Sequence, residues 1–227
     1  MTEDVGQLPS WEGLGWVNDQ ITIYIQCTSN KEMNNICAII LAAGESKRMK
    51  VPKMLLPFHG KTMLEKVIGN VISSEVFHTL VVLGSNRDEI VRSISHLPVN
   101  HCYNEDYRNG MLSSVQCGFK NLPESFDAVL VFPGDQPFIE PEVINLVIRS
   151  FRETGKGIVI PVYGEKRGHP MLIGSRYREV IDNLDENVGL RSLAELYRDD
   201  LLEVKTNSPG ILKDFDTEED YQNETNK

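Results

Sequence analysis

Arg48 and Lys53 stand within six residues of each other, just after the small-residue run Leu41-Ala42-Ala43-Gly44-Glu45-Ser46. The apolar stretch Ile36–Ile40 comes immediately before that run and reads as a buried strand. Small residues at a strand end let the backbone approach a ligand closely. Exposed backbone N–H groups with a guanidinium fork and an ammonium point charge can hold a triphosphate. The pattern is neither Gly-x-x-x-x-Gly-Lys-Ser/Thr nor Gly-x-Gly-x-x-Gly. Alone, Ala-Ala-Gly would be an ordinary strand-to-loop junction, and a single lysine a solvated one. Two cations after one apolar strand, with an acidic motif downstream, favour chemistry. Glu45 and Lys47 read as exposed loop residues without a role.

The acidic motif is Pro133-Gly134-Asp135-Gln136-Pro137, which ends the apolar run Ala128–Phe132. In parallel α/β sheets ligands gather beyond the carboxyl ends of strands. Asp135 therefore stands where a Mg²⁺ ion bridging phosphates would need a hard oxygen ligand. The competing reading makes Asp135 a cap for a helix starting near Pro141, or a turn residue. Gly84, after Val81-Val82-Leu83, allows close approach of a base. Ser113 and Ser114 begin a helix, where N–H groups and hydroxyls suit an anion or a ribose; simple N-capping explains them equally well.

Elements that could position these residues alternate along the chain. Strand-like runs fall at 36–42, 79–84, 99–102, 127–132, 157–162, 170–173 and 200–205. Helical patterns fall at 61–74, 87–95, 111–120, 140–154, 175–182 and 189–197. Leu64, Val67, Ile68, Val71 and Ile72 follow helical spacing and should face a core. This alternation predicts an α/β fold, a mainly parallel sheet covered on both faces. Gly164-Glu165-Lys166-Arg167-Gly168 reads as a hairpin turn between the runs at 157–162 and 170–173.

Composition narrows the function classes. The 227 residues suffice for one α/β core, and 33 acidic against 23 basic residues give a formal charge of −10. No basic cluster of the kind nucleic acid requires is present; the bases gather instead at 47–53. Cys27, Cys37, Cys102 and Cys117 are scattered, which argues against a disulfide framework or a zinc site. Cys37 should be a small core residue. No run can span a membrane and the N-terminus lacks signal-peptide character, so a cytoplasmic protein is expected. Residues 1–35 read as an N-terminal extension containing both tryptophans and a short alternating run at 21–25. The tail 223–227 is expected to be flexible.

Leu41 to Met49 with Lys53 and Met54-Leu55-Leu56-Pro57-Phe58 carry a further signal. So do Asn104 with Gly110-Met111-Leu112-Ser113-Ser114, then Gly134-Asp135-Gln136-Pro137, Arg167-Gly168-His169-Pro170, Gly189-Leu190-Arg191 and the acidic stretch Asp214 to Asp220. In this order and spacing they resemble the molybdopterin nucleotidyltransferase-like family, within the glycosyltransferase-A-type nucleotidyltransferases. The likeness is closest to the cytidylyltransferases of molybdenum cofactor biosynthesis and runs from about Ile36 to Tyr221. One departure is Lys50, where the family has glycine.

The resemblance implies a three-layer Rossmann-like fold over 36–222, with a mixed sheet of about seven strands, one of them antiparallel. It implies CMP transfer from CTP to the phosphate of molybdopterin with release of pyrophosphate. Arg48, Lys53 and Asp135 would then be catalytic. Leu41, Ala42, Ala43, Gly44, Ser46, Gly84, Ser113, Ser114 and Gly134 would join Arg48 and Lys53 around the nucleotide. Gln136, Arg167, Gly168, His169 and Arg191 would face the acceptor. Asp135 and Asp216 would hold Mg²⁺ or Mn²⁺; Asp216 also fits a helix N-cap. Ala43, where GTP-using relatives carry glycine, narrows the base pocket towards a pyrimidine. Transient contact with a molybdoenzyme would follow. Two other readings are transfer to another phosphorylated acceptor, such as a sugar phosphate, and a non-catalytic chaperone that delivers the cofactor.

Overall fold

The computed structural model describes residues 35–46, 49, 51–185, 189–215 and 217–225. The run at 21–25, Lys47, Arg48, Lys50 and Asp216 lie outside the described residues. Strand β1 (Ile36–Ala42) is buried at every position. Its side chains alternate between the two faces of the sheet, so uninterrupted burial means that both faces are covered. After the two-residue strands β2 (Pro57–Phe58) and β3 (Lys61–Thr62), the chain forms β4 (His78–Leu83), β5 (Asn100–Tyr103) and β6 (Ala128–Pro133). Strand β1 lies between β4 and β6, parallel to both, and β5 continues the sheet beyond β4.

The other half of the sheet is built from β7 (Ile158–Tyr163), β8 (Lys166–Arg167), β9 (Met171–Gly174) and β10 (Leu201–Lys205). The path runs β10-β7-β9-β6-β1-β4-β5, with β8 paired to β7. Only β9 runs against its neighbours along that path, as expected. The hairpin at Gly164 also forms, with Gly164 at φ +61°. Pairing runs from Val162↔Arg167 to Ile158↔Ile173, so the returning chain carries two extra residues. They are absorbed at Gly168-His169-Pro170, whose His169–Pro170 peptide is cis.

Helices α1 (Met63–Ile72), α2 (Arg87–Ile94), α3 (Met111–Lys120) and α4 (Pro141–Thr154) link the strands. Short helices α5 (Arg178–Asp182) and α6 (Arg191–Leu196) follow, and α7 (Glu218–Thr225) closes the described chain. Cys37, Ile39 and Leu41 of β1 pack with Leu112, Val115 and Phe119 of α3. Burial lifts the Cys37 thiol to about 11, with the charge of Asp127 adding to it, as befits an inert core residue.

Three expectations change. Lys61 and Thr62 pair as strand rather than helix, because His59 and Gly60 both adopt positive φ and make a two-residue hairpin turn. Thr62 then caps α1 in a reciprocal box with Glu65. Ile72 is 37% exposed; at 100° per residue it stands about 90° from the centre of the stripe formed by Leu64, Val67, Ile68 and Val71. Residues 223–225, read from the sequence as part of the tail, continue α7, in which Tyr221 is buried and its hydroxyl donates to the Pro57 carbonyl at 2.5 Å.

Candidate functional site

The two motifs leave neighbouring parallel strands at the same level, because Leu41 of β1 is paired with Pro133 of β6. Their loops therefore begin side by side at the carboxyl edge of the sheet. Gly134 joins them: its N–H donates to the Leu41 carbonyl at 3.0 Å. A Cβ at Gly134 would lie 2.8 Å from that oxygen and 3.0 Å from Met54 Sδ. Gly134 thus contributes close approach of chain to chain.

Lys53 crosses between the loops. Its Nζ donates to Asp135 Oδ2 at 2.8 Å, with the two side chains 11% and 19% exposed. Ser46, held at φ +50°, accepts the Lys53 backbone N–H on its Oγ at 3.0 Å. The Asp135 loop is fixed from behind by Asn70 of α1, whose buried amide donates to the carbonyls of Pro137 and Ile139 at 3.0 and 2.9 Å. Nothing in the local pattern of α1 marked Asn70.

The pair lies in a cavity of about 480 Å³. Gly44, Ser46, Lys53, Asp135, Gln136, His169 and Arg191 line it, and so do Met49, Met54, Met111 and Asp214. Phe215, buried among Met49, Phe58, Met63 and Tyr221, brings Asp214 to the rim. A recess of about 280 Å³ shares Gly44, Met54, Met111, Pro133 and Asp135 with this cavity and adds Leu41, Ala43, Tyr107, Gly110 and Ser114. On the other side His169 and Arg191 also border a cavity of about 550 Å³ with Lys166, Arg167 and Gly168. His169 and Arg191 therefore form a shared wall between two chambers.

The electrostatics of that wall are specific. Burial, with Arg191 adding and Asp135 opposing, pushes His169 down to about 4, so its ring is neutral near pH 7. His169 Nδ1 and Gln136 Oε1 are buried with no hydrogen-bond partner among the described residues. Such groups are costly to leave unpaired and fit a site that a polar ligand completes. Arg167 is tied to Glu203, Nε to Oε1, at 2.6 Å.

Ala42, Gly84 and Ser113 support the site rather than line it, while Ser114 does both. Ala42 is fully buried in the sheet. Gly84 does not reach the recess; a Cβ there would meet the Ala43 carbonyl at 2.6 Å and Tyr107 Cγ at 2.7 Å. Its bare backbone admits Tyr107. Ser113 Oγ lies 2.9 Å from the carbonyls of both Asp106 and Gly110 and shares its proton between them. Asn104 Nδ2 donates to the Ser113 and Ser114 hydroxyls at 2.9 and 3.0 Å. Neither serine caps α3, whose N-cap is Gly110. Asp135 is not a helix cap: Glu140 precedes α4, and its side chain makes no capping bond. At α7 the reciprocal capping bonds run between Thr217 and Asp220.

Asp135 offers the hard carboxylate oxygen that a divalent ion prefers, and Asp214 brings a second carboxylate to the same cavity. The donor set fits Mg²⁺ or Mn²⁺. Among the described residues no three His, Cys, Asp or Glu side chains gather as a metal cluster, and no helix is long and apolar enough to cross a membrane. The described cysteines are free thiols.

Comparison with known proteins agrees with this architecture. A protein of Natranaerobius thermophilus named "Probable molybdenum cofactor guanylyltransferase" is 30% identical over 57% of this chain and 61% of its own. The bifunctional protein GlmU of Clostridium kluyveri is 35% identical over 52% of this chain and 26% of its own. The chain thus spans about three fifths and a quarter of the lengths of these relatives. A nucleotidyl transferase structure from Methanothermobacter superposes with a TM-score of 0.72 at 25% identity, covering 85% of this chain and 97% of that one. The fold and the paired strand-end loops are those of an α/β nucleotidyltransferase domain. The chain belongs to the family of MobA-like NTP transferase domains, which matches residues 38–202.

Proposed function

We infer that this chain transfers a nucleoside monophosphate from an NTP to a phosphorylated acceptor and releases pyrophosphate. The observation that carries this reading is the Lys53–Asp135 pair in a cavity joining a mostly apolar recess to a basic-walled chamber. A nucleotide has the matching order: an apolar base, a polyanion and a reacting α-phosphorus. The acceptor phosphate is itself the nucleophile, so the reaction needs positioning and charge stabilisation rather than a protein nucleophile.

In this reading Lys53 stabilises charge that develops on the α-phosphate, and Arg48 pairs with the leaving phosphates. Asp135 and Asp216 would hold Mg²⁺ or Mn²⁺, which when bound would supply positive charge to neutralise phosphate oxygens. Leu41, Ala43, Gly44 and Ser46 line the nucleotide's path. Arg191 and Arg167 offer cations to the acceptor phosphate, while neutral His169 and Gln136 offer hydrogen bonds.

The finer proposal is CTP as donor and a molybdopterin-type phosphate as acceptor. Ala43, 5% exposed, lines the recess, and a methyl at this position would favour the smaller base. GTP is the second reading, favoured by the name of the Natranaerobius relative. Pyrophosphate release should be measured with each of the four nucleotides and Mg²⁺, with and without molybdopterin or a sugar phosphate. Wild type should turn over with CTP and molybdopterin, and Asp135→Asn should lose turnover while remaining folded in a thermal melt. Near-normal turnover by Asp135→Asn would remove Asp135 from the metal site, and no turnover with any pair would sink the enzymatic reading.

A further inference from the structure

Tyr107 carries no expectation from the sequence, yet it has a singular place in the site. Among the described residues it is the only Phe, Tyr or Trp lining the 480 Å³ cavity or the recess that opens from it. On its far side it borders an open cavity of about 560 Å³ beside Gly84 and Tyr103. Tyr107 is thus a half-buried residue between the recess and that outer cavity, with the Arg108 guanidinium 5.3 Å from its ring centroid.

The residue is held firmly. Tyr107 begins the 3₁₀ turn Tyr107–Asn109, between Asn104 and Gly110. The Asn104 backbone N–H donates to the Leu83 carbonyl at 2.8 Å, and its side-chain amide grips Ser113 and Ser114 of α3. Asn104 Oδ1 accepts the Asp106 N–H at 3.0 Å. Gly84 supplies the floor: a Cβ there would come within 2.7 Å of Tyr107 Cγ, so the ring rests on bare backbone. A fixed aromatic wall at the apolar end, with Lys53 and Asp135 at the charged end, matches the polarity of a nucleotide.

We propose that Tyr107 is the platform on which the base of the bound nucleotide stacks, a binding residue for the reaction inferred above. The inference rests on that reading, since it needs a nucleotide in the recess with its phosphates towards Lys53. Every base presents a π face, so stacking supplies affinity without choosing the base. Selection is left to the width of the recess at Ala43.

Binding of each of the four nucleoside triphosphates and of inorganic tripolyphosphate, all with Mg²⁺, should be measured by calorimetry. The proteins are wild type, Tyr107→Phe, Tyr107→Leu and Tyr107→Ala, each checked by a thermal melt. Phe should bind the preferred nucleotide within about twofold of wild type, while Leu and Ala should bind it about tenfold or more weakly, the scale of one lost base–aromatic stack. Tripolyphosphate, which has no base, should bind all four proteins alike. Wild-type affinity in the Ala variant would overturn the inference, as would a Leu variant equal to Phe, or an equal loss for tripolyphosphate. A wild type that binds tripolyphosphate but none of the nucleotides would overturn the nucleotide reading itself, and the stacking role with it.

Discussion

Lys53→Ala separates catalysis from stability through one ion pair. Nζ and Oδ2 stand 2.8 Å apart, and the side chains are 11% and 19% exposed. At an effective dielectric of about 20 the gross attraction is roughly 6 kcal/mol, most of it offset by desolvation. Removing the lysine leaves the Asp135 carboxylate without that partner in a largely dry site, which should destabilise the fold by about 1–3 kcal/mol. For a chain of this size that is a fall in Tm of roughly 2–10 °C. The transition state loses a charge aimed at developing negative oxygen, on the order of 2.7–4 kcal/mol or 10²- to 10³-fold in kcat, with little change in nucleotide KM. The two losses have different remedies. Adding Asp135→Asn removes the stranded carboxylate, so the double variant should melt above Lys53→Ala while turnover stays lost. Pyrophosphate-release kinetics and thermal melts on the two single variants and the double variant are sufficient. An effect confined to KM, a turnover loss under about fivefold, or a double variant whose melting losses simply add would refute the reasoning.

Ala43→Gly should widen the recess and raise kcat/KM for GTP relative to CTP by roughly 10- to 200-fold, the worth of one methyl in a pocket, in a competition assay; an unchanged ratio would remove Ala43 as the selector. Asn70→Ala strands two buried carbonyls behind the Asp135 loop, so a loss of about 2–4 kcal/mol is expected in urea melts; a loss below 0.5 kcal/mol would show the amide to be dispensable. Asp200 titrates at about 2 against an ordinary 3.8: burial opposes the shift, but donors from Arg176, Tyr177 and the Gly157 N–H outweigh it. Its folded value lies below its unfolded one, so its contribution is full above about pH 4 and fades as pH falls towards 2. Asp200→Asn should therefore cost roughly 1–2 kcal/mol at pH 7, after allowance for a side chain 29% exposed, and visibly less at pH 3. A cost independent of pH would assign it to packing.

The sequence by itself determined the alternating α/β order, because buried parallel strands must be continuous apolar runs and their covering helices amphipathic. It also determined the strand-end positions of Leu41–Ser46 and Pro133–Asp135, since small and acidic residues after such runs have few structural uses. What it missed depends on through-space neighbours. The Lys53–Asp135 pair joins residues 82 positions apart, and only the parallel register of β1 with β6 brings them together. Gly84 was legible as a place of close approach, but not that Tyr107 would be what approaches, because a local pattern states the room and not the occupant. Ser113 and Ser114 read equally as anion or ribose ligands and as N-caps from their place at a helix start; the fold engages their hydroxyls with Asn104, a partner nine and ten residues away. Asn70 and Tyr107 gave no local signal at all, and Asp214 gave one only as the start of the acidic stretch 214–220. Their side chains act through a buried amide, an aromatic anchor and a bare glycine floor, each supplied by a distant stretch of chain that only tertiary packing brings into contact.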